Sequence, residues 1–310
     1  MRKLRVFRSV GEVFAGVTRH YFQLLFVAWP AVILLLAGTA AFYWLLFQAG
    51  LYGMAGVERA VGSPEEVLER YREALAAYSM ATIVAVVLAM LLAQAVAAVR
   101  WHRFVLLGEG GSVPFRREDL QYVWTTLKIL FFWILFLLVL SAVVGVIAVI
   151  IIFAGAALFG DGAPSLAALG PAGIVLHPLG VVLNVFKLGV VVRLMLALPD
   201  AALGGGQGVL GTFAATSGNT WRISGFALLI YLPVFILLAV VEGIAGLALT
   251  SAADLIGSIA AVVSAIISLA LYLYLMMTQV TMLSVAYREI VGLPGGHEGE
   301  ATVAEPTPGL

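Results

Sequence analysis

Apolar residues gather along this chain into six long runs, at 22–47, 79–99, 129–159, 172–193, 223–248 and 256–286. Charged and turn-forming residues return between them. Each run supplies the ~20 residues that a helix rising 1.5 Å per residue needs to cross a ~30 Å hydrocarbon core. The pattern therefore predicts six membrane-spanning helices. The third run has length to spare, which predicts either tilt or a break near Gly155 and Gly160.

The runs pair into hairpins with repeated punctuation. Two pairs close on Val-Arg, at Val99-Arg100 and Val192-Arg193, and the third closes on Tyr287-Arg288. The closing arginines are 93 and 95 residues apart, a near-constant period that predicts an internal repeat. Arg19, Lys128 and Arg222 each precede an opening run, and a proline follows eleven residues after the first and last of them, at Pro30 and Pro233. The predicted fold class is all-α: a polytopic membrane protein with six spans in three pseudo-repeated hairpins. Its single membrane domain covers 1–290, in repeats of approximately 1–108, 109–203 and 204–290.

Shorter amphipathic stretches introduce the hairpins. Val10, Val13, Phe14, Val17 and Tyr21 recur at helical spacing, with Arg5, Arg8, Glu12 and Arg19 occupying much of the rest. Leu120, Val123, Trp124 and Leu127 form a second such face, and a weaker one surrounds 210–221. These read as cytoplasmic interfacial helices. They are either connectors anchored by arginine or partner-binding elements. The segment 48–78 contains a helix start at Ser63-Pro64-Glu65-Glu66 and is expected to cap the outer ends of the first two spans or to act as a lid. Beyond 291, glycine, proline and glutamate predict a disordered cytoplasmic tail.

Composition agrees with the pattern: 63% of residues are hydrophobic and the mean hydropathy is +1.09, values that call for a membrane as solvent. Zero formal net charge offers nothing to nucleic acid. The distribution of charge is more telling. With both termini on one side, that side holds thirteen of the seventeen lysines and arginines, so the positive-inside rule places the termini in the cytoplasm. The basic start is followed by a run too long for a cleaved signal, which predicts a retained span. The absence of cysteine removes thiol chemistry and disulfides.

Candidate functional residues are few. An alanine stripe, Ala81, Ala85, Ala89, Ala93 and Ala97, predicts close helix packing along the second span. The fourth span carries His177, Asn184 and Lys187 at spacings that share a face. Lys187 and Gln94 stand six residues before Arg193 and Arg100, so the repeat makes them equivalent. Gln94, Asn184 and Lys187 form the candidate intramembrane polar locus, since polar groups in hydrocarbon demand a reason. Against that, Lys187 is close enough to the inner surface to snorkel. Arg19, Arg100, Arg103, Lys128, Arg193, Arg222 and Arg288 are the expected headgroup anchors.

No dinucleotide or phosphate-binding loop, nucleophile elbow or metal-ligand spacing occurs, and the four histidines are scattered. The expectation is therefore a protein that is not an enzyme, with no cofactor and no metal.

Four stretches, Arg100-Trp101-His102-Arg103-Phe104-Val105-Leu106-Leu107-Gly108-Glu109, Arg193 to Pro199, Gly218-Asn219-Thr220-Trp221-Arg222 and Ser284-Val285-Ala286-Tyr287-Arg288, resemble motifs of uncharacterised proteobacterial inner-membrane proteins. These are similar to the membrane domain attached to some glycerophosphoryl diester phosphodiesterases and to the six-helix YciC-like family. The resemblance implies a bacterial inner-membrane protein and imports no catalytic residue. The leading expectation is a non-catalytic accessory or scaffold protein whose partners are membrane lipids or other membrane proteins. The alternative is a small-solute transporter or lipid-handling protein using the polar locus.

Overall fold

The computed structural model describes residues 3–48, 80–109, 115–159, 170–251 and 255–293. The expected cap or lid within 48–78 and the tail beyond 293 lie outside these ranges, except for the last residue of one helix, Gln48. Among the described residues the chain is helical, with no strand. In chain order the helices are α1 Val6–Val27, α2 Trp29–Gln48, α3 Met80–Leu107, α4 Arg117–Phe159, α5 Gly170–Met195, α6 Ala197–Ala202, α7 Gly208–Ala215, α8 Thr220–Ser251 and α9 Leu255–Ile290. Five are long and apolar enough to cross a membrane: the segments Val84–Leu107, Arg117–Ile147, Gly180–Ala202, Thr220–Val241 and Ile266–Ile290. A sixth follows if the bent pair α1 and α2 counts as one span.

That bend is 82° and corrects the first expected span, which was placed at 22–47. The amphipathic pattern continues to Val27, where Ala28 interrupts it, and a new helix begins at Trp29. Pro30 explains the position of the restart: its fixed φ and missing N–H suit the first turn of a helix. Pro233, eleven residues after Arg222 as Pro30 is after Arg19, lies inside the continuous helix α8. The two prolines therefore do different structural work.

The third span is unbroken through Gly155 as far as Phe159, so a break at Gly155 is excluded; Gly160 lies outside the described residues. At 43 residues α4 is longer than any bilayer requires, leaving its excess length to tilt or projection. Helix ends are set by glycine. Gly108 and Gly292 adopt φ of +69° and +92°, and their N–H groups return to Phe104 and Tyr287 carbonyls to close α3 and α9.

α1 does not stand alone as a surface helix. As the chain advances from Arg5 to Tyr21, its partners on α9 fall from Glu289 and Arg288 to Tyr274 and Ala270. α1 thus runs antiparallel to the last five turns of α9, burying Val13, Val17 and Leu24.

Burial is concentrated at one end, the end that carries the closing arginines. On α3, Val84 to Leu92 are exposed or half-exposed, whereas Ala93, Ala95 and Ala97 to His102 are buried. α9 behaves likewise, exposed at Ile266, Ile267 and Tyr272 and buried from Met276 to Tyr287 except at Gln279. α4 is rooted by Asp119, Tyr122, Thr125 and Ile129, and no described side chain from 130 to 147 is buried. Only 6% of its apolar window is covered, against 33–44% for the other four spans. The alanine stripe is therefore a packing surface only in its second half. Ala85 and Ala89 are exposed. A closer approach occurs where no stripe announced it, at Gly189 of α5, where a Cβ would lie 2.9 Å from the Thr220 carbonyl oxygen and against the Ser224 hydroxyl of α8.

Two substitution tests follow from this asymmetry. Ala97→Leu and Gly189→Ala overfill close contacts and are expected to cost about 1–3 kcal/mol each, whereas Ala89→Leu costs nothing measurable. Thermal unfolding in detergent checks this; equal loss at Ala89 and Ala97 would show that the outer half of α3 also packs against protein.

Candidate functional site

The basic end is built from three consecutive residues whose side chains leave α3 in different directions. Helical geometry turns each residue about 100°, so Arg100, Trp101 and His102 reach three different neighbours. The Trp101 indole N–H donates to the Leu24 carbonyl at 2.7 Å, tying α3 to the end of α1. Arg100 Nη2 meets Asp119 Oδ2 at 3.1 Å, tying α3 to the start of α4. His102 Nδ1 lies 2.8 Å from Ser284 Oγ on α9. Because that hydroxyl already donates to the Val280 carbonyl at 2.9 Å, it accepts here and the imidazole carries its proton on Nδ1.

The Arg100–Asp119 pair is 5% and 0% exposed. Asp119 Oδ2 also accepts the Arg116 backbone N–H at 2.7 Å, which caps the start of α4. Asp119 Oδ1 and His102 Nε2 are buried without a hydrogen-bond partner among the described residues. Tyr122, one turn from Asp119, sets its ring 5.8 Å from that of His102.

A second buried acid joins α6 to α7 and α9. Asp200, following Pro199 in α6, accepts the Tyr287 hydroxyl at 2.9 Å on Oδ1 and the Gly208 N–H at 3.3 Å on Oδ2. Its carbonyl takes the Gly205 N–H at 2.8 Å, and a Cβ at Gly205 would collide with the Asp200 side chain. This explains the glycine there. Arg193 is held by Thr216 Oγ1 at 3.1 Å, Thr220 Oγ1 at 2.8 Å and the Phe213 carbonyl at 2.6 Å, with its guanidinium 3.8 Å from the Phe213 ring centre. Arg288 pairs with Glu12 of α1. Arg103 donates twice to Glu109, at 2.9 Å each, and to the Ala202 carbonyl. Those bonds from Arg103 hold the Glu109 carboxyl below its usual range, against a smaller opposing effect of burial. This clasp is therefore complete near neutral pH and is lost as acid titrates the carboxyl.

The structure separates the expected site residues into three groups. Arg19, Lys128 and Arg222 are exposed, as an anchor must be; Lys128 lies 5.4 Å from the Trp124 ring centre, and Arg222 also reaches the Leu4 carbonyl. Arg103 and Arg288 are half-buried in ion pairs. Arg100 and Arg193 are buried, with their guanidiniums turned to protein partners rather than outward. The polar locus does not converge. Gln94 is exposed on α3, Asn184 is exposed and donates to the Gly180 carbonyl one turn back on its own helix, and Lys187 is half-buried. Gly189 faces α8 and Lys187 is two residues, or about 200°, away, which directs the lysine to the opposite side of α5. No hydrogen bond links the three among the described residues.

Asp119, Asp200, His102, Tyr287 and Glu12 carry the site, and the sequence pattern marks none of them as a tie between helices. A signal existed for Asp200, an acid standing alone between Asp161 and Glu242 in otherwise apolar sequence. The four motif stretches are a second signal: all four supply ties just described, and Asn219 of the third also accepts the Leu4 N–H at 3.4 Å. Among the described residues no group of three or more metal-ligating side chains converges. What the arrangement does is hold helices together.

Removing one partner of the buried pair should be worse than removing both. Arg100→Ala strands the Asp119 carboxylate in the interior and is expected to cost about 3–5 kcal/mol, while Arg100→Leu combined with Asp119→Leu costs much less. Unfolding midpoints in detergent decide it, and a double variant no better than Arg100→Ala would mean that Asp119 is stabilised by something other than Arg100.

Comparison with protein-family models, curated proteins and solved structures finds no match for this chain, so its role is argued from this geometry.

Proposed function

We propose that the chain is a non-catalytic accessory or scaffold protein of the bacterial inner membrane, interacting with lipid or with partner membrane proteins. Its basic end and both termini face the cytoplasm, as thirteen of seventeen basic residues on that side would require. The arginine ties support a threefold repeat closed into a ring. Arg100, closing the first unit, meets Asp119 at the opening of the second; Arg193, closing the second, meets α7 and Thr220 of the third; Arg288, closing the third, returns to Glu12 of the first.

One observation carries the scaffold reading. The basic end is packed solid, with Trp101, His102, Phe226, Met277, Leu283 and Tyr287 all under 2% exposed. Transport or lipid handling through Gln94, Asn184 and Lys187 would need a path through this end. A plug of interlocked aromatic and ion-paired side chains favours a rigid platform instead.

The cysteine-free background makes the test clean. Single cysteines at the buried positions Ala97, Ile223 and Met277 should resist a charged, water-soluble thiol reagent in inside-out vesicles, while one at the exposed Gly206 reacts there and not in intact cells. Labelling at Ala97 or Met277 would establish a wet path and favour the transporter. Labelling of Gly206 in intact cells would reverse the orientation.

A further inference from the structure

Three features of the molecule remain without a role: the uncovered apolar length of α4, the unpartnered atoms beside Arg100, and the outward face of α1. The last carries an inference. The three most exposed large apolar side chains among the described residues, Phe7, Phe22 and Phe26 at 83%, 81% and 78%, all belong to α1. Arg8 and Arg19, both exposed, share one side of the helix with the small residues Gly11, Ala15 and Thr18, and Phe22 and Phe26 stand exposed just beyond a kink at His20 (φ −108°, ψ 15°). The opposite side, Val13, Val17 and Leu24, is buried in the bundle. α1 is therefore amphipathic twice over, with an aliphatic face toward the protein and an aromatic and cationic face away from it.

The charge on the outward face is one-sided because the nearby acids are engaged. Glu12 is taken by Arg288, and Glu289 accepts the backbone N–H of Arg5 at 3.0 Å. Neither Arg8 nor Arg19 has an ion-pair partner among the described residues. Phenylalanine has no polar tip, so three such rings standing in water would be an aggregation hazard; in the acyl-headgroup boundary they are at home. Position agrees, since only Ala28 separates α1 from the apolar helix α2.

We propose that the outward face of α1 is a binding surface for anionic phospholipid, with Arg8 and Arg19 on the phosphates and Phe22 and Phe26 among the upper acyl chains. Phe7 extends the aromatic contact toward the basic end. This proposal rests on the lipid-interacting scaffold reading and assigns it an address. The rival occupant, an acidic segment of a partner protein, would use the arginines but leave the phenylalanines in water. Lipid satisfies both.

The full chain, reconstituted in nanodiscs of mixed phosphatidylglycerol and phosphatidylcholine, is released into native mass spectrometry and the retained lipids are counted. Wild type is expected to keep phosphatidylglycerol preferentially. Each basic residue at an anionic surface contributes about fivefold, so Arg8→Gln with Arg19→Gln should lower that preference by about 25-fold. Phe22→Ala with Phe26→Ala should lower the total lipid retained, with the detergent unfolding midpoint unchanged in both because these side chains are exposed. An unchanged ratio in the arginine variant, while wild type still prefers phosphatidylglycerol, would overturn the α1 site and leave the lipid reading standing. No preference in wild type would overturn both. Binding of a poly-glutamate peptide that needs Arg8 and Arg19 but not Phe22 and Phe26 would assign the face to a protein and overturn the lipid proposal.

Discussion

Two apolar helices in a bilayer gain almost nothing from the hydrophobic effect when they touch, because lipid tails solvate leucine as well as leucine does. Whatever holds such helices together must be close packing or polar ties. In this protein most of the polar ties among the described residues are gathered at one end. Outside that end α4 stands almost bare and α3 is largely exposed, though α2 approaches it closely where Gly38 meets Met90. Within it, Arg100, Trp101 and His102 bind three different helices in one turn of α3. A buried arginine is costly unless its counter-charge is brought to it, which makes the position of Asp119, and hence of α4, a condition for the whole arrangement.

Fold class was legible from the apolar runs, because the length and composition of a membrane helix are local properties. What escaped was anything decided between helices. The regular alanines of α3 promised a packing stripe along the whole span, yet only the half facing other helices is used. Gly189, with no pattern around it, makes a tighter contact with α8. Pro30 and Pro233 matched in register but not in role, since a proline reads differently at a helix start and inside a helix.

The site was legible only in outline. Closing arginines were visible as a period and were assigned to headgroups, the ordinary fate of a basic residue at the end of a span. Sequence gives no means of seeing that Asp119 is 19 residues from Arg100 and touching it, or that Glu12 returns from the other end of the chain to Arg288. No hydrogen bond joins Gln94, Asn184 and Lys187 among the described residues; equal distance from a closing arginine does not make residues face one another. Arg19, Lys128 and Arg222 are exposed, and so are Phe7, Phe22 and Phe26 of α1.

The central claim is that each unit's closing arginine grips the opening of the next and that the third grip returns to the first. Double-cysteine variants at 100 and 119, at 193 and 216, and at 12 and 288, treated with a short bifunctional thiol reagent in native membranes, test it directly. All three pairs should crosslink within a single chain, with the 12 and 288 pair closing the ring. If that pair fails to crosslink, or does so only between chains, while the other two react, the units form an open row and the account is wrong.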